Sequence, residues 1–405
     1  MSALDDCFLH DRDRLRHDEA LTLLRDGLTA VVGTETLPLD ETLGRVLAED
    51  LEAPFDLPGH TNAAVDGYAF RHDDAARGPL PVGQRIAAGA LPGPLTQGSA
   101  ARIFTGAVLP DGADTVAMQE DCERRGDSVA VPDLRRGANV RQRGEDLRHG
   151  APALRSGRRL VPADIATAAA FGAETLVVRR RLRVALFSSG DELRTSGTLS
   201  QGAVFDANRP MLRAWMRSLP VEIADGGILP DEPDAVERAL REASTRADLI
   251  VTTGGASRGE EDHMLAALDA LGERKAWQIA VKPGRPLMFG RIGEAAYLGL
   301  PGNPVAACVC FLLYARPTIL ALSGAVWEEP AGFALPTGFA ATSKPDRREF
   351  LRASLRDGRL EKFARDGSGL ISSLRESDGL IEVPEDTMRI APGDLLTFLP
   401  WSSFR

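Results

Sequence analysis

DLIVTTGGASRGEEDHM at Asp248–Met264, WQIAVKPGRPLMFG at Trp277–Gly290 and YLGLPGNPV at Tyr297–Val305 decide how this chain is read. Leu249, Ile250 and Val251 have the texture of a buried strand, which empties into Gly254 and Gly255, where bare amides can cradle an anion. Three acids follow at once, Glu260, Glu261 and Asp262. Anion-binding backbone beside carboxylates points to a phosphate and a divalent metal. A second strand ends in Lys282-Pro283-Gly284-Arg285-Pro286, which sets two cations on a stiff turn, and a third ends in Pro301-Gly302-Asn303-Pro304 before a long apolar helix. Open α/β sheets hold ligands at the carboxyl ends of their strands, so these polar strand ends predict one shared site.

Outward from this stretch, Arg183 to about Leu322 alternates strand-like runs (RVALFSS, VEIADGGIL, AAYLGLP) with helical ones (MLRAWMRSL, DAVERALREA, HMLAALDAL). That alternation predicts a βαβ sheet with helices on both faces. After Pro330 the period falls to two in EFLRASL, GLIEVPE and DLLTFLP, which predicts a small β-barrel or sandwich. Upstream, His17–Val31 and Leu37–Leu51 carry helical spacing and are expected as framing helices. Ala53–Pro152 turns to short β-like runs between Gly and Pro turns, and Val161–Phe171 returns to helix, as if a β-rich domain were inserted into the framing one. The expected division is 1–52 with 153–181 as framing domain, 53–152 as insert, 182–326 as α/β domain and 327–405 as C-terminal β-barrel. The fold class is thus multidomain, α/β plus β.

The 405 residues exceed what one core usually holds, and 43% of them are hydrophobic. A formal net charge of −10 with arginines scattered among acids argues against a nucleic-acid surface. The four cysteines form no CxxC pair, the polar acidic N-terminus is unlike a signal peptide, and no uninterrupted apolar run reaches the roughly 20 residues of a membrane span. A cytoplasmic protein without nucleic-acid or membrane partners is expected.

Other residues bear chemistry. Phe187-Ser188-Ser189-Gly190-Asp191-Glu192 ends a strand with amide donors at Ser189 and Gly190 and puts two acids at the rim. Asp231 opens a helix after the next strand. Helix and turn capping explains each of these acids taken alone. Acids from separate strands of one sheet repel unless a cation neutralises them, so Glu192, Asp231 and Asp262 are the candidate Mg²⁺ ligands. Lys282 and Arg285, displayed from one rigid loop, can bracket phosphate oxygens. Asp66 lies in an Asp-Gly pair that also reads as a hairpin turn, and Thr105, before a glycine, either binds an anion or closes a turn. The six histidines show no HxH or HExxH spacing, and no Walker A loop or Gly-x-Ser-x-Gly elbow occurs.

VDGYA at Val65, TGAVLPDGAD at Thr105, RGED at Arg143, SSGDEL at Ser188, DANR at Asp206, TTGGASRGEED at Thr252, KPGRP at Lys282, LPGNPVA at Leu300 and REFLR at Arg348 follow one another along the chain. In this order they resemble the MoeA-type molybdopterin molybdenumtransferases, the family that also supplies the C-terminal part of gephyrin. The resemblance implies an elongated four-domain homodimer whose α/β domain is similar to molybdopterin adenylyltransferases. It implies insertion of molybdate into adenylylated molybdopterin with Mg²⁺, releasing AMP and molybdenum cofactor, and contact with molybdopterin adenylyltransferase and molybdoenzyme chaperones. Carried over by motif, the catalytic positions are Asp66, Thr105 and Asp262, and the metal ligands Glu192, Asp231 and Asp262. Substrate-binding positions are Ser189, Gly190, Gly254, Gly255, Lys282, Arg285, Arg352 and Ser372, with Ser373 as the neighbouring choice.

Against the family pattern, Gln278 stands where lysine is usual, Ala63 and Val65 where serine and methionine are, Arg258 and His263 where valine and tyrosine are, and Arg285 where lysine is. Gln278 removes a cation that Arg258 is placed to restore. Two other readings stay open beside the molybdenum-inserting enzyme: a molybdopterin adenylyltransferase, and a divergent paralogue that binds molybdopterin or its molybdenum cofactor without catalysis.

Overall fold

The computed structural model describes residues 14–254, 263–284 and 286–404, with the backbone alone at 275–277. The chain forms two compact units: Met1–Glu49, Ser156–Pro162 and Thr175–Arg405 make one, and Asp50–Arg155 with Ala163–Glu174 the other.

The expected α/β alternation builds the central sheet of the first unit. Across that sheet the strands lie in the order Val221–Leu229, Leu182–Ser189, Leu249–Thr253, Ala295–Leu300, Pro286–Ile292 and Gly272–Gln278. The first four are parallel, and the last two join by antiparallel pairing. Side chains alternate between the faces as the pleat requires. Leu182, Val184, Leu186, Leu249 and Val251 pack against helix Asn208–Met216 and the long apolar helix starting at Pro304. Ala185, Phe187, Ile250 and Tyr297 pack against helices Pro233–Ser244 and His263–Leu271. Both faces are covered, which is the condition under which parallel sheets occur.

The helical segment Pro304–Leu322, interrupted by Arg316, is long and apolar enough to cross a membrane by length and composition, with mean hydropathy 1.9 over its window, but 94% of that window is buried inside the fold. Its middle turn, Phe311–Ala315, is π-helical and directly precedes Arg316 and Pro317. Proline has no N–H to give an α-helical ladder, so the ladder is re-spaced at that point.

The C-terminal strands form a second six-stranded sheet, ordered Val281–Lys282, Arg348–Arg356, Gly379–Val383, Leu395–Pro400 and Phe333–Pro336, with Arg359–Lys362 pairing beside Arg348–Arg356. A bridge from Thr337 to Leu360 ties its two ends together, which gives the expected small barrel. Leu351, Ala353, Ile381, Val383 and Phe398 fill the barrel, while Phe350, Leu380 and Leu399 join the core around the Pro304–Leu322 helix. Period-two patterning therefore serves two cores at once.

Two sequence expectations fail here. Leu37–Leu51 is no framing helix: Thr34–Pro38 is a strand paired with Thr175–Arg179, and Val46 and Leu47 bridge to Arg159 and Val178. Pro38 and the positive φ of Gly44 (74°) interrupt any helix, and these pairings take up backbone groups that a helix would have paired internally. His17–Gly27 is the framing helix that does form. WQIAVKP is also split between sheets: Gly272–Gln278 edges the α/β sheet, and Val281–Lys282 pairs in parallel with Arg348 and Glu349 of the barrel.

The second unit carries a mixed sheet ordered Thr115–Met118, Gly67–Phe70, Ala100–Ile103, Leu80–Ile86, Ser128–Ala130 and Glu123–Arg125. Asp66-Gly67 does not form a hairpin turn. Gly67 opens an inner strand, where an added Cβ would lie 1.8 Å from the Ala117 carbonyl oxygen. Only glycine admits that approach.

Candidate functional site

After Ser189 the chain moves to the strand at one side of Leu182–Ser189, then crosses to Leu249–Thr253 on its other side. Such a switch point leaves a crevice beyond the strand ends. A cavity of about 1070 Å³ lies there, lined by Ser188–Gly190, Asp231, Thr253, Gly254 and the Pro301–Asn303 turn. Lys282–Gly284, Arg347 and Arg352 from the barrel side and Asp366–Gly369 complete it.

Tight backbone contacts set the strand ends. Gly254 has φ +91°, and a Cβ on it would meet the Ser189 carbonyl oxygen at 2.4 Å. Thr253 Oγ1 donates to the Pro301 carbonyl (3.0 Å), and Asn208 Nδ2 donates to Thr253 Oγ1 (2.9 Å) and to the Gly302 carbonyl (2.6 Å). On the barrel side, Gly284 has φ +114° and lies against Cys310, whose thiol donates to the Gly284 carbonyl.

Glu192 and Asp231 both line the cavity. The Asp231 carboxylate accepts from Ser189 Oγ and from the Asp191 amide, each at 3.2 Å, and the Asp231 amide donates to the Asp191 carboxylate (3.0 Å). This reciprocal clip joins the ends of neighbouring strands. The Glu192 carboxylate accepts no hydrogen bond from a described residue. Among the described residues, no three His, Cys, Asp or Glu side chains gather as a metal cluster. Asp262, Gly255 and Arg285, with Glu260, Glu261 and Arg258, lie outside the described residues.

The cations come from the barrel side. Lys282 Nζ donates to Glu349 at 3.2 Å, and Arg347 donates to the other Glu349 oxygen through Nε (3.0 Å) and Nη2 (2.7 Å). Burial pushes the Glu349 pKa up, but the hydrogen bonds from Arg347 and Lys282 outweigh it and hold the carboxyl below its usual range. One buried carboxylate thus orients two cations at the cavity. Arg352 is buried, with Nε on Ser373 Oγ (3.1 Å) and Nη2 on the Gly367 carbonyl (3.2 Å), and burial lowers its pKa from the ordinary value. Ser373 is the serine that meets Arg352; Ser372 is half-buried and is not among the residues lining the cavity. Gln278 is not among them either, and accepts a hydrogen bond from Arg14 Nε (3.1 Å).

Sequence reasoning gave no role to Asp206, Asn208, Arg347 or Glu349. Asp206 is buried, accepts from Ser188 Oγ (2.7 Å), pairs with Arg209 Nε (3.0 Å) and caps the following helix through the Arg209 amide (3.1 Å). The pattern Asp-x-x-Arg at a helix start was the available signal.

In the second unit, Asp66 and Thr105 are brought together. The Thr105 amide (2.8 Å) and hydroxyl (2.7 Å) both donate to Asp66 Oδ1. Those two bonds, the amide first, hold the exposed Asp66 carboxyl below its usual pKa. Arg85 and Arg102 lie over the neighbouring Phe104 ring, each 4.5 Å from its centroid.

Fold and cavity together define a multidomain α/β protein with a ligand crevice at a topological switch point, walled by a C-terminal β-barrel. Three family models match in succession: the MoeA N-terminal region (domain I and II) over residues 15–172, a probable molybdopterin binding domain over 185–321, and the MoeA C-terminal region (domain IV) over 334–401. A molybdopterin molybdenumtransferase of Haemophilus influenzae is 33% identical over 396 residues, covering 95% of this chain and 98% of that protein. One from Synechococcus elongatus is 36% identical over 314 residues, covering 74% and 78%. The crystal structure of the molybdopterin biosynthesis moeA protein from Pyrococcus horikoshii OT3 is similar with a TM-score of 0.82 at 29% identity, covering 96% of this chain and 100% of that one. The chain belongs to the MoeA family of molybdopterin molybdenumtransferases and is a transferase of molybdenum cofactor biosynthesis.

Proposed function

We propose that this protein inserts molybdate into adenylylated molybdopterin with Mg²⁺, releasing AMP and molybdenum cofactor. The observation that carries the reading is the cavity itself. Strand-end turns, the Glu192 and Asp231 carboxylates and a carboxylate-oriented cation pair converge on a volume of about 1070 Å³, sized for a nucleotide-linked substrate.

In this reading Ser189, Gly190 and Gly254 border the phosphate groups, with the Gly190 and Gly254 amides bonded to the Leu229 and Leu300 carbonyls, and Lys282, Arg347 and Arg352 balance the negative charge. Glu192 and Asp231 fit a hard cation: the first carboxylate accepts no hydrogen bond from the described residues, the second retains lone pairs beyond its two long hydrogen bonds. Bound Mg²⁺ supplies neutralisation of the phosphoanhydride oxygens. The P–O bond to the adenylyl phosphate breaks as water adds, and AMP leaves. Asp66, kept ionised by Thr105, and Asp262 are the proposed catalytic carboxylates. The same reading gives a cytoplasmic homodimer, divided at 1–52 with 153–181, 53–152, 182–326 and 327–405, that meets the adenylyltransferase delivering its substrate and the chaperones taking its product.

The test supplies purified protein with adenylylated molybdopterin, Mg²⁺ and molybdate. Release of AMP is expected, with loss in Asp66→Asn and Asp262→Asn. Tight pterin binding without AMP release above a protein-free control would overturn the enzyme reading and favour a carrier.

A further inference from the structure

Phe205 stands apart from the polar chemistry of the cavity. It lines the cavity with 46% of its surface exposed, and its neighbour Val204 is 49% exposed. The other cavity-lining phenylalanine, Phe350, is 1% exposed and belongs to the core. An apolar ring left open to water at the mouth of a polar site has a cost that a bound ligand can recover, because covering it removes apolar surface from water.

The ring is also held in place. Val204 and Phe205 pair in parallel with Leu193 and Arg194, the Val204 amide donating to the Glu192 carbonyl and the Asp206 amide to the Arg194 carbonyl, each at 2.9 Å. The next residue, Asp206, is buried and tied to Ser188 at the end of a central strand and to Arg209 of the following helix. Phe205 is thus an exposed aromatic on a backbone anchored from both sides, in the cavity that Ser189, Gly190 and Gly254 also line. Fixed aromatics in such settings bind by stacking on planar rings.

We infer that Phe205 is the stacking platform for a planar heteroaromatic ring of the bound substrate, with Leu193 and Val204 extending its apolar face. This rests on the proposed function, under which the substrate carries two such rings, an adenine and a pterin. Both share the chemistry that Phe205 recognises.

The experiment measures binding of AMP, ribose 5-phosphate and a 6-hydroxymethyl pterin to the intact protein by calorimetry, for wild type and for Phe205→Ala, Phe205→Leu and Phe205→Trp. Because the side chain is exposed, these variants fold, which circular dichroism verifies. AMP weakened about tenfold in Phe205→Ala, restored in Phe205→Trp and not in Phe205→Leu, with ribose 5-phosphate unmoved, places adenine on the ring. The same pattern with the pterin places the pterin there. Equal affinities across the four proteins for both ring ligands, or no binding of either ring by wild type, overturns the inference. AMP release from adenylylated molybdopterin, assayed on the same preparations, separates the two ideas. Release without dependence on Phe205 sinks the platform alone, and ring binding without release sinks the enzyme reading alone.

Discussion

Replacing Gly254 by alanine tests whether the strand-end geometry builds the cavity. Two penalties apply at this position. Its φ of +91° is one that alanine avoids, costing about 1–2 kcal/mol. The new Cβ would also lie 2.4 Å from the Ser189 carbonyl oxygen, well inside the 3.0 Å that real Cβ contacts respect, so the ends of two central strands must move apart. Overpacking of this kind adds about 1–3 kcal/mol. Gly227 provides the control: its φ is +81°, but an added Cβ meets nothing within 4 Å. Gly227→Ala therefore carries the conformational penalty alone. Urea denaturation followed by circular dichroism is expected to rank wild type above Gly227→Ala above Gly254→Ala. AMP release is expected to survive in the first variant and to fall at least tenfold in the second, because Ser189 and Gly254 both line the cavity. Equal stability and equal activity in the two variants would refute the claim that this contact positions the site.

Three further outcomes follow from the same structure. Asp206→Asn removes the charge that Arg209 and Ser188 share in a buried setting, and a loss of about 2–4 kcal/mol is expected by denaturation, partly offset because Arg209 also pairs with Asp225. His17 is 5% exposed and donates to or accepts from the Tyr314 hydroxyl at 2.8 Å; burial, then Arg348, lowers its pKa from 6.5 to about 4. Its neutral form is the one the fold holds, so the stability it contributes is complete above pH about 6.5 and is lost as pH falls through about 4, up to roughly 3 kcal/mol in all. His17→Gln, which keeps a polar partner for Tyr314, should flatten the stability profile between those values, and an unchanged profile would count against the assignment. Thr105→Val deletes one of two donors to Asp66 and leaves the amide, so the apparent carboxylate pKa in the pH–rate profile of AMP release should rise, while the denaturation midpoint stays put.

Much of the site was legible in the sequence because it is written at strand ends. Leu249–Val251 could only be a buried strand, and the polar residues that follow it, like those after Phe187 and Leu300, had to emerge at the same edge of a parallel sheet. Asp66 and Thr105 were each named by motif resemblance, and their hydrogen bonding to one another was not foreseen, since they are 39 residues apart and the bonds joining them are tertiary. Lys282 lines the cavity, but by a route the sequence did not show. It was read as the end of an α/β strand, yet it arrives from the barrel, through pairing with Glu349. Helical spacing in Leu37–Leu51 misled because Leu43 is 55% exposed while Val46 and Leu47 are buried as bridge residues.

By itself the sequence determined the fold class, the order of strands and helices in the α/β region, and the chemical character of the residues at its strand ends. These depend on local periodicity and on glycine and proline, whose constraints act within a few residues. Tertiary structure alone decided which polar groups are free and which are committed. Among the described residues nothing donates to the Glu192 carboxylate, while Asp231 is clipped to Ser189 and Asp191, Arg352 turns to Ser373 and Gly367, and Glu349 holds Lys282 beside Arg347. Most of these partners lie 15 to 67 residues away along the chain and meet only when the sheet and barrel have folded.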